Sequence, residues 1–346
     1  MRVGIVTSEK SVSLQKVARD VGFVLEENGF EIPKVILSPV ADPFLYEDLD
    51  AIIVVMTFDT FWATPYFYLC WRFRREGRKC IFYTTIEGYP MRWHGDVWIY
   101  RDLDFVANSR YTASRIEKVG GRIKAVVYHG IDLGKPRVFS YKRREIRESL
   151  GVKEDEFVVL YVAGDYPRKG HDLFAAVAKI VGEKDKKVKF VVLTQSKAIK
   201  HYVGLDNVIV LPYFGKVGED YIYGLYHAAD LYAQPSLCEG FGLPVLEALA
   251  CGKPVVHADY EPLSEITTPQ TSFRVRVVSR DAVQDVGGII FEYHYYDPKE
   301  FADAILYAKD EVLRDPEEWK ARCMERAKEF DRNKVYRKFV ELLQKG

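Results

Sequence analysis

No apolar stretch in this sequence approaches the roughly 20 residues needed to cross a bilayer, and the opening MRVGIVTSEK is too brief for a signal peptide's apolar core, so a cytoplasmic address is expected. Net charge is missing as well. Lys plus Arg (50) balances Asp plus Glu (50), which speaks against a protein that holds nucleic acid by bulk positive charge, and no nucleic-acid partner is expected. The five cysteines, Cys70, Cys80, Cys238, Cys251 and Cys323, include no Cys-x2-Cys pair. Neither a disulfide framework nor a zinc site is indicated, and the set is expected to be reduced. The seven His residues form no His-x-His or HExxH spacing, so no metal is expected in the chemistry. Internal repeats, low-complexity tracts and coiled-coil heptads are absent too.

What is present fits a globular protein of two domains, since 346 residues exceed the size at which one core keeps growing. Aromatics are abundant, with 23 Tyr and 20 Phe, but no function class follows from that excess. Short apolar runs alternate with helical patterns, the signature of parallel βαβ units. Strands are expected at 3–8, 51–56, 79–85, 104–109 and 124–130, with a helix over SLQKVARDVGFVLEENG that Gly29 ends. After Gly130, IDLGKPRVFSYKRRE has no clean period and suits an exposed linker. Alternation restarts with strands expected at 157–164, 188–194, 207–212, 230–236 and 253–258, and the stretch from Pro316 to Leu343 is polar and helical. The expected division is 1–135, 136–325, and a C-terminal helix over 326–346 packing back on the first domain. Two Rossmann-like domains facing each other place a ligand cleft at the C-terminal ends of strands.

The chemistry concentrates in DLYAQPSLCEGFGLPVLEALACGKPVV. Gly240 and Gly242 let backbone approach a ligand closely. Pro244 suits a helix start, where its missing N–H costs nothing, and Gly252 suits the stop. Backbone N–H groups and the positive end of a helix dipole suit a diphosphate. Glu239 and Glu247 bracket that start. Carboxylates would repel phosphates on contact, so they should accept hydrogen bonds from hydroxyls to either side. A glycine-rich turn with two solvated acids is the other reading of the same pattern.

The stretch Pro235 to Val256 resembles the donor-site signature of retaining GT-B glycosyltransferases, glycosyltransferase family 4: Pro-Ser, then Glu-x7-Glu containing Gly-Phe-Gly-Leu-Pro, then Ala-x-Ala-x-Gly-x-Pro-Val-Val. The resemblance continues more weakly through VIVLPYFGKV and LYHAADLY to Gly287-Gly288, and thins in the first half to VANSRYTASRI and HGID. It implies an α/β, GT-B fold and a nucleotide-sugar donor, UDP-, GDP- or ADP-linked, with no further cofactor. It also implies that Glu247 binds the ribose and Glu239 a hydroxyl of the transferred sugar. The amides of Gly240, Phe241 and Gly242, with Leu243 and Gly164 beside them, line the sugar-diphosphate. The family's Gly-Arg-x4-Lys-Gly corresponds to AGDYPRKGHDL, in which Lys169-Gly170 fits, Asp165 stands near the Arg position and Arg168 is the substitute. Fixed cations there neutralise a departing diphosphate.

The first half departs from the family. SEKSVSLQ lacks the glycine-rich turn, and CIFYTTIEGYP carries Glu87 where relatives have a His. A strand-end Glu87 accepting from a sugar or acceptor hydroxyl, and a salt-bridged structural Glu87, both stay open; His94 and His129 are further candidates. Asp48-Leu49-Asp50 and Asp102-Leu103-Asp104 have the Asp-x-Asp form of metal-dependent enzymes but precede strands, where acidic turn residues are common. The aromatic run from Thr57 ends in Arg72, Arg74, Arg75, Arg78 and Lys79. Those cations suit either a peripheral contact with the inner membrane face or a core helix with cations at its C-terminal end.

The expectation is a retaining, metal-independent hexosyltransferase acting on a glycan, lipid or other hydroxyl acceptor. Its rivals are another GT-B enzyme, such as a sugar-nucleotide epimerase or a phosphorylase, and a non-catalytic nucleotide-sugar or glycan-binding protein.

Overall fold

A computed structural model describes residues 1–37, 43–59, 62–90, 102–284 and 288–344. His94 and Gly287 lie outside them. The chain divides into two compact units: unit 1 comprises Met1–Asp132, Ala282–Glu292 and Phe330–Gly346, and unit 2 comprises Leu133–Asp281 and Tyr293–Glu329. The expected linear division has no counterpart to the excursion of 282–292 into unit 1.

Unit 1 contains β1 (Val3–Thr7), β2 (Val35–Leu37), β3 (Ala51–Thr57), β4 (Lys79–Thr85), β5 (Gly88–Pro90), β6 (Asp104–Ala107) and β7 (Arg122–Val126). Six of these form a parallel sheet in the order β2-β1-β3-β4-β6-β7. The central β3, AIIVVMT, is buried along nearly its whole length, as a strand covered on both faces must be. The helix Val12–Glu27 buries Leu14, Val17, Val21, Val24 and Leu25, and Ser11 caps its start by accepting from Leu14 N at 3.4 Å. Phe67 and Phe82, with ring centroids 4.9 Å apart, belong to a Phe cluster with Phe58 and Phe105 that fills the core.

The polar stretch after Pro316 is helical but broken. Pro316–Ala327 ends before Asp331, whose carboxylate accepts from Asn333 N at 2.9 Å to start Arg332–Val335, and Arg337–Gln344 follows. The last two pieces belong to unit 1, where Gly130 N donates to the Tyr336 hydroxyl at 2.8 Å and Arg332 pairs with Asp20 at 2.8 Å and Asp132 at 2.9 Å.

Unit 2 contains β8 (Phe157–Val162), β9 (Val188–Leu193), β10 (Val208–Leu211), β11 (Leu231–Gln234), β12 (Val255–Ala258) and β13 (Ser272–Val275). They form a parallel sheet in the order β10-β9-β8-β11-β12-β13. Counted within the unit this is the 3-2-1-4-5-6 order of dinucleotide-binding folds, whose strand order reverses between the first and fourth strands, here β8 and β11. Ligands of such sheets bind beyond the carboxyl ends of the strands at that reversal.

All ten strands expected from sequence are present, with β7 displaced toward the N-terminus. The strands not anticipated are β2, β5, β13, β14 (Val277–Gln284) and β15 (Ile289–Tyr296). β2 and β5 have three residues each, too few to show a period, and β14 is mostly solvent-facing. Ile289, Ile290 and Phe291 pair antiparallel with Pro90, Tyr89 and Gly88, and a Cβ on Gly88 would collide with the Ile290 carbonyl.

Two further expectations are corrected. The supposed linker folds into the helices Gly134–Val138 and Arg143–Ser149. Arg143 pairs with Asp230 at 2.8 Å, and the buried Arg147 reaches Asp230 at 3.3 Å and the Glu156 carbonyl at 2.6 Å. These basic residues are internal fasteners, which no local period announces. The cysteines are not all reduced, for Cys70 and Cys80 form a disulfide with Cα atoms 5.2 Å apart. Their spacing matches no motif; packing of the helix Thr64–Arg75 on β4 brings them together. Cys238, Cys251 and Cys323 are free and buried.

Candidate functional site

The loops leaving β8 and β11 carry the cation and the carboxylate singled out from sequence. Lys169 Nζ donates to Glu239 Oε1 at 2.6 Å, and both side chains are largely buried. Backbone contacts hold the two loops in register. Leu237 N donates to the Arg168 carbonyl at 2.8 Å, and the Tyr161 hydroxyl donates to the Lys169 carbonyl at 2.6 Å. Gly170 sits at φ 65°, and a Cβ there would lie 2.6 Å from the Pro235 carbonyl oxygen. Only glycine combines that conformation with that approach.

Burial raises the pKa of Glu239, but Lys169, Ser236 and Arg168 outweigh it and hold the carboxyl below its ordinary value. The group is therefore a charged carboxylate at neutral pH. Arg168 stacks its guanidinium 4.8 Å from the centre of the Tyr166 ring. Asp165 uses its backbone N–H on Gln195 Oε1 at 3.0 Å. Gly164 is buried, and its carbonyl lies 3.0 Å from His171 Nε2.

Beyond Glu239 the chain passes through the buried Gly240, Phe241 and Gly242 into the helix Leu243–Ala250. Gly242 takes φ 105°, and a Cβ there would meet Leu263 Cδ2 at 2.7 Å. Leu243 is the first helical residue and Pro244 the next. Glu247, one turn in, is half-buried and accepts from the Tyr226 hydroxyl at 2.9 Å.

Sequence reading missed the layer beneath these carboxylates. Gln234, the last residue of β11, donates from Nε2 to Glu239 Oε1 at 2.6 Å and to Ser236 Oγ at 2.8 Å. Its own Oε1 accepts from the Tyr232 hydroxyl at 2.8 Å. A signal was available, since a glutamine ending an otherwise apolar strand must find buried partners. Tyr226 and Tyr232, both fully buried with ring centres 5.7 Å apart, account for part of the tyrosine excess, because each packs its ring in the core and presents its hydroxyl to the site.

Of the first-half candidates, Glu87 is half-buried beyond β4, and its carbonyl is 3.4 Å from Glu292 N. His129 lies in the core of unit 1, with Nδ1 2.6 Å from the Tyr83 hydroxyl and Nε2 3.2 Å from Asn108 Nδ2. Burial pushes its pKa down to about 3, so the imidazole is neutral near pH 7. One carboxylate of each Asp-x-Asp stretch is ion-paired: Asp48 with Arg2 at 3.0 Å and Lys34 at 3.2 Å, and Asp104 with Arg122 at 2.9 Å. Among the described residues no cluster of potential metal ligands occurs, and no helix is long and apolar enough to cross a membrane. The basic run has protein partners: Arg72 pairs with Glu76 at 2.7 Å, Arg78 reaches the Tyr46 carbonyl at 2.6 Å, and Lys79 the Leu343 carbonyl at 2.6 Å.

Comparison with known proteins bears on the same region. The family described as glycosyl transferases group 1 matches residues 142–330, just over half of the chain. An uncharacterized glycosyltransferase 335 of Sulfolobus islandicus rod-shaped virus 1 is 29% identical over 99% of this chain and 100% of its own length. A D-inositol 3-phosphate glycosyltransferase 2 of Catenulispora acidiphila is 31% identical over 44% of this chain, which spans only 39% of that relative. Among solved structures, a glycosyltransferase from Rickettsia africae superposes with TM-score 0.77 at 13% identity, covering 99% of this chain and 97% of that one. Anabaena HepE in complex with UDP-glucose superposes with TM-score 0.71 at 17% identity, covering 99% of each. At such identities the structural likeness establishes the fold, the α/β GT-B class with two Rossmann-like domains.

Proposed function

The chain belongs to the glycosyl transferases group 1 family, and from that membership we propose that it is a retaining, metal-independent hexosyltransferase of glycosyltransferase family 4, using a nucleotide-sugar donor. The observation that carries this reading is the buried Lys169–Glu239 pair at the reversal point of the unit 2 sheet, inside the matched region.

In this reading Glu239 accepts from a hydroxyl of the transferred sugar and Glu247 from the ribose. The chain from Gly240 to Leu243, with Gly164 nearby, lies along the diphosphate, where backbone dipoles favour negative charge. Lys169 and Arg168 neutralise the charge that grows on the departing nucleoside diphosphate. Before donor binds, Lys169 is held by Glu239, which keeps the ammonium in place and the carboxylate ionised. The acceptor hydroxyl, of a glycan or a lipid, attacks the face from which the diphosphate leaves, and a leaving phosphate oxygen takes its proton. The sugar–phosphate bond breaks as the new glycosidic bond forms, and no side-chain nucleophile is required. Glu87, in unit 1, is assigned to an acceptor or sugar hydroxyl. HepE, a structural neighbour, was crystallised with UDP-glucose, which makes UDP sugars the first donors to try.

The test is release of nucleoside diphosphate from a panel of UDP-, GDP- and ADP-sugars, with and without glycan and lipid acceptors. Turnover that falls by about 10²- to 10³-fold in Lys169→Ala and Glu239→Ala is expected. Tight donor binding without release under any acceptor identifies a binding protein and refutes the proposal.

A further inference from the structure

The carboxylate of Glu239 is aimed by a chain of buried groups that begins in the strand beneath it. Tyr232 and Gln234 lie two residues apart on β11, so their side chains share one face of the sheet. The Tyr232 hydroxyl donates to Gln234 Oε1 at 2.8 Å, and the ionised Glu239 carboxylate, which can only accept, takes the N–H end of the amide. Gln234 Nε2 is thereby turned to Glu239 Oε1 at 2.6 Å and Ser236 Oγ at 2.8 Å. The same oxygen of Glu239 receives Lys169 Nζ at 2.6 Å. Two donors from different elements, the end of β11 and the loop after β8, thus converge on one carboxylate oxygen. Gln234 is 1% exposed, too deep to touch a substrate, and each amide hydrogen has an acceptor.

We propose that Gln234 is the positioning residue for Glu239: its amide, oriented by Tyr232, holds one carboxylate oxygen so that the other is presented to the donor sugar. This rests on the reading of Glu239 as a donor-sugar ligand. The amide also acts when Lys169 is drawn toward a bound diphosphate, because it is neutral and is not attracted by the phosphates. It then keeps the carboxylate oriented and ionised at the moment its counter-ion is shared. The charged and titratable groups that bear on Glu239 are Lys169 and Arg168 from the loop after β8, Tyr161 from β8 and Tyr232 from β11. Both tyrosines have pKa values raised well above their ordinary value, chiefly by burial, so only the two cations oppose the burial of the carboxylate electrostatically. Loss of a donor leaves that burial less opposed.

The experiment compares wild type, Gln234→Met, Gln234→Glu and Glu239→Gln, using the sugar nucleotide of the UDP-, GDP- and ADP-sugar panel that is turned over fastest, together with its free nucleoside diphosphate. Gln234→Met is expected to lower kcat about 10- to 100-fold, the worth of a hydrogen bond to a charged group. The acid limb of the pH–rate profile should move up by about one unit or more. Affinity for the nucleoside diphosphate, which lacks the sugar, should stay within about twofold, which also certifies that the variant is folded. Gln234→Glu replaces the donor by a second carboxylate, so one of the two acids is held protonated and the acid limb should move further up than in Gln234→Met. A wild-type kcat and pH profile in Gln234→Met, with Glu239→Gln impaired, overturns the role of Gln234 alone. Unimpaired turnover in Glu239→Gln, or no turnover of any panel member by wild type, overturns the underlying reading and this proposal with it.

Discussion

Lys169→Met isolates the buried ion pair without reference to any substrate. The side chains of Lys169 and Glu239 are 14% and 8% exposed, so the pair is not one of the solvent-screened bridges that contribute little. Removing one partner of a buried pair costs about 3–5 kcal/mol, because the other charge stays behind without compensation. Gln234 still donates to Glu239, and the carboxylate can take up a proton, so the lower end, about 3 kcal/mol at pH 7, is expected. A folding unit of 150–250 residues loses about 2–4 °C per kcal/mol, which places the shift in Tm at about 6–12 °C.

The pH dependence has a definite sign. In wild type the pKa of Glu239 lies below its ordinary value, so the pair's stabilisation is complete above the unfolded carboxylate pKa and is lost as pH falls through the folded one. In Lys169→Met burial dominates, the protonated form is favoured, and the penalty at pH 7 fades on acidification. The gap in Tm between the two proteins is therefore widest near pH 7 and narrows toward pH 4. Lys169→Met combined with Glu239→Gln, which removes both charges, should recover most of the loss. Thermal unfolding followed by circular dichroism reads all three proteins. A loss below about 1 kcal/mol at pH 7, or a gap that does not change with pH, would refute the account of a buried, mutually dependent pair.

Gly170→Ala places a side chain at φ 65° with its Cβ 2.6 Å from the Pro235 carbonyl oxygen, so a loss of at least about 1–2 kcal/mol in thermal unfolding is expected, with weakened nucleotide binding; wild-type values for both would show that the loops part freely. Burial lowers the pKa of His129 from 6.5 to about 3 and of His257 from 6.5 to about 4. Each therefore adds stability that is whole above the unfolded value and falls, by up to about 1.4 kcal/mol per pH unit, as pH drops from 6.5 toward the folded value. His129→Gln should flatten the Tm profile of unit 1 between pH 6.5 and 4, and an unchanged slope would mean that another group sets it.

The segment proposed to hold the donor could be singled out in the sequence because its determinants are local. Glu239, Gly242, Pro244 and Glu247 belong to one strand–turn–helix, where spacing along the chain is spacing in space, and apolar runs alternating with helical patterns likewise announced ten strands of the two parallel sheets. What sequence could not supply depends on contacts between distant segments. Lys169 and Glu239 are 70 residues apart, and only the reversal of strand order at β8 and β11 brings their loops together. The same holds for Arg143, placed in a linker by sequence but paired with Asp230 in the fold, and for Cys70 and Cys80, whose spacing means nothing until the helix lies on β4. Gln234 is the sharpest case. By itself the sequence determined that a glutamine ends β11 among apolar neighbours; the tertiary structure decided that its amide faces Glu239, because a buried donor takes whichever acceptor packing sets before it.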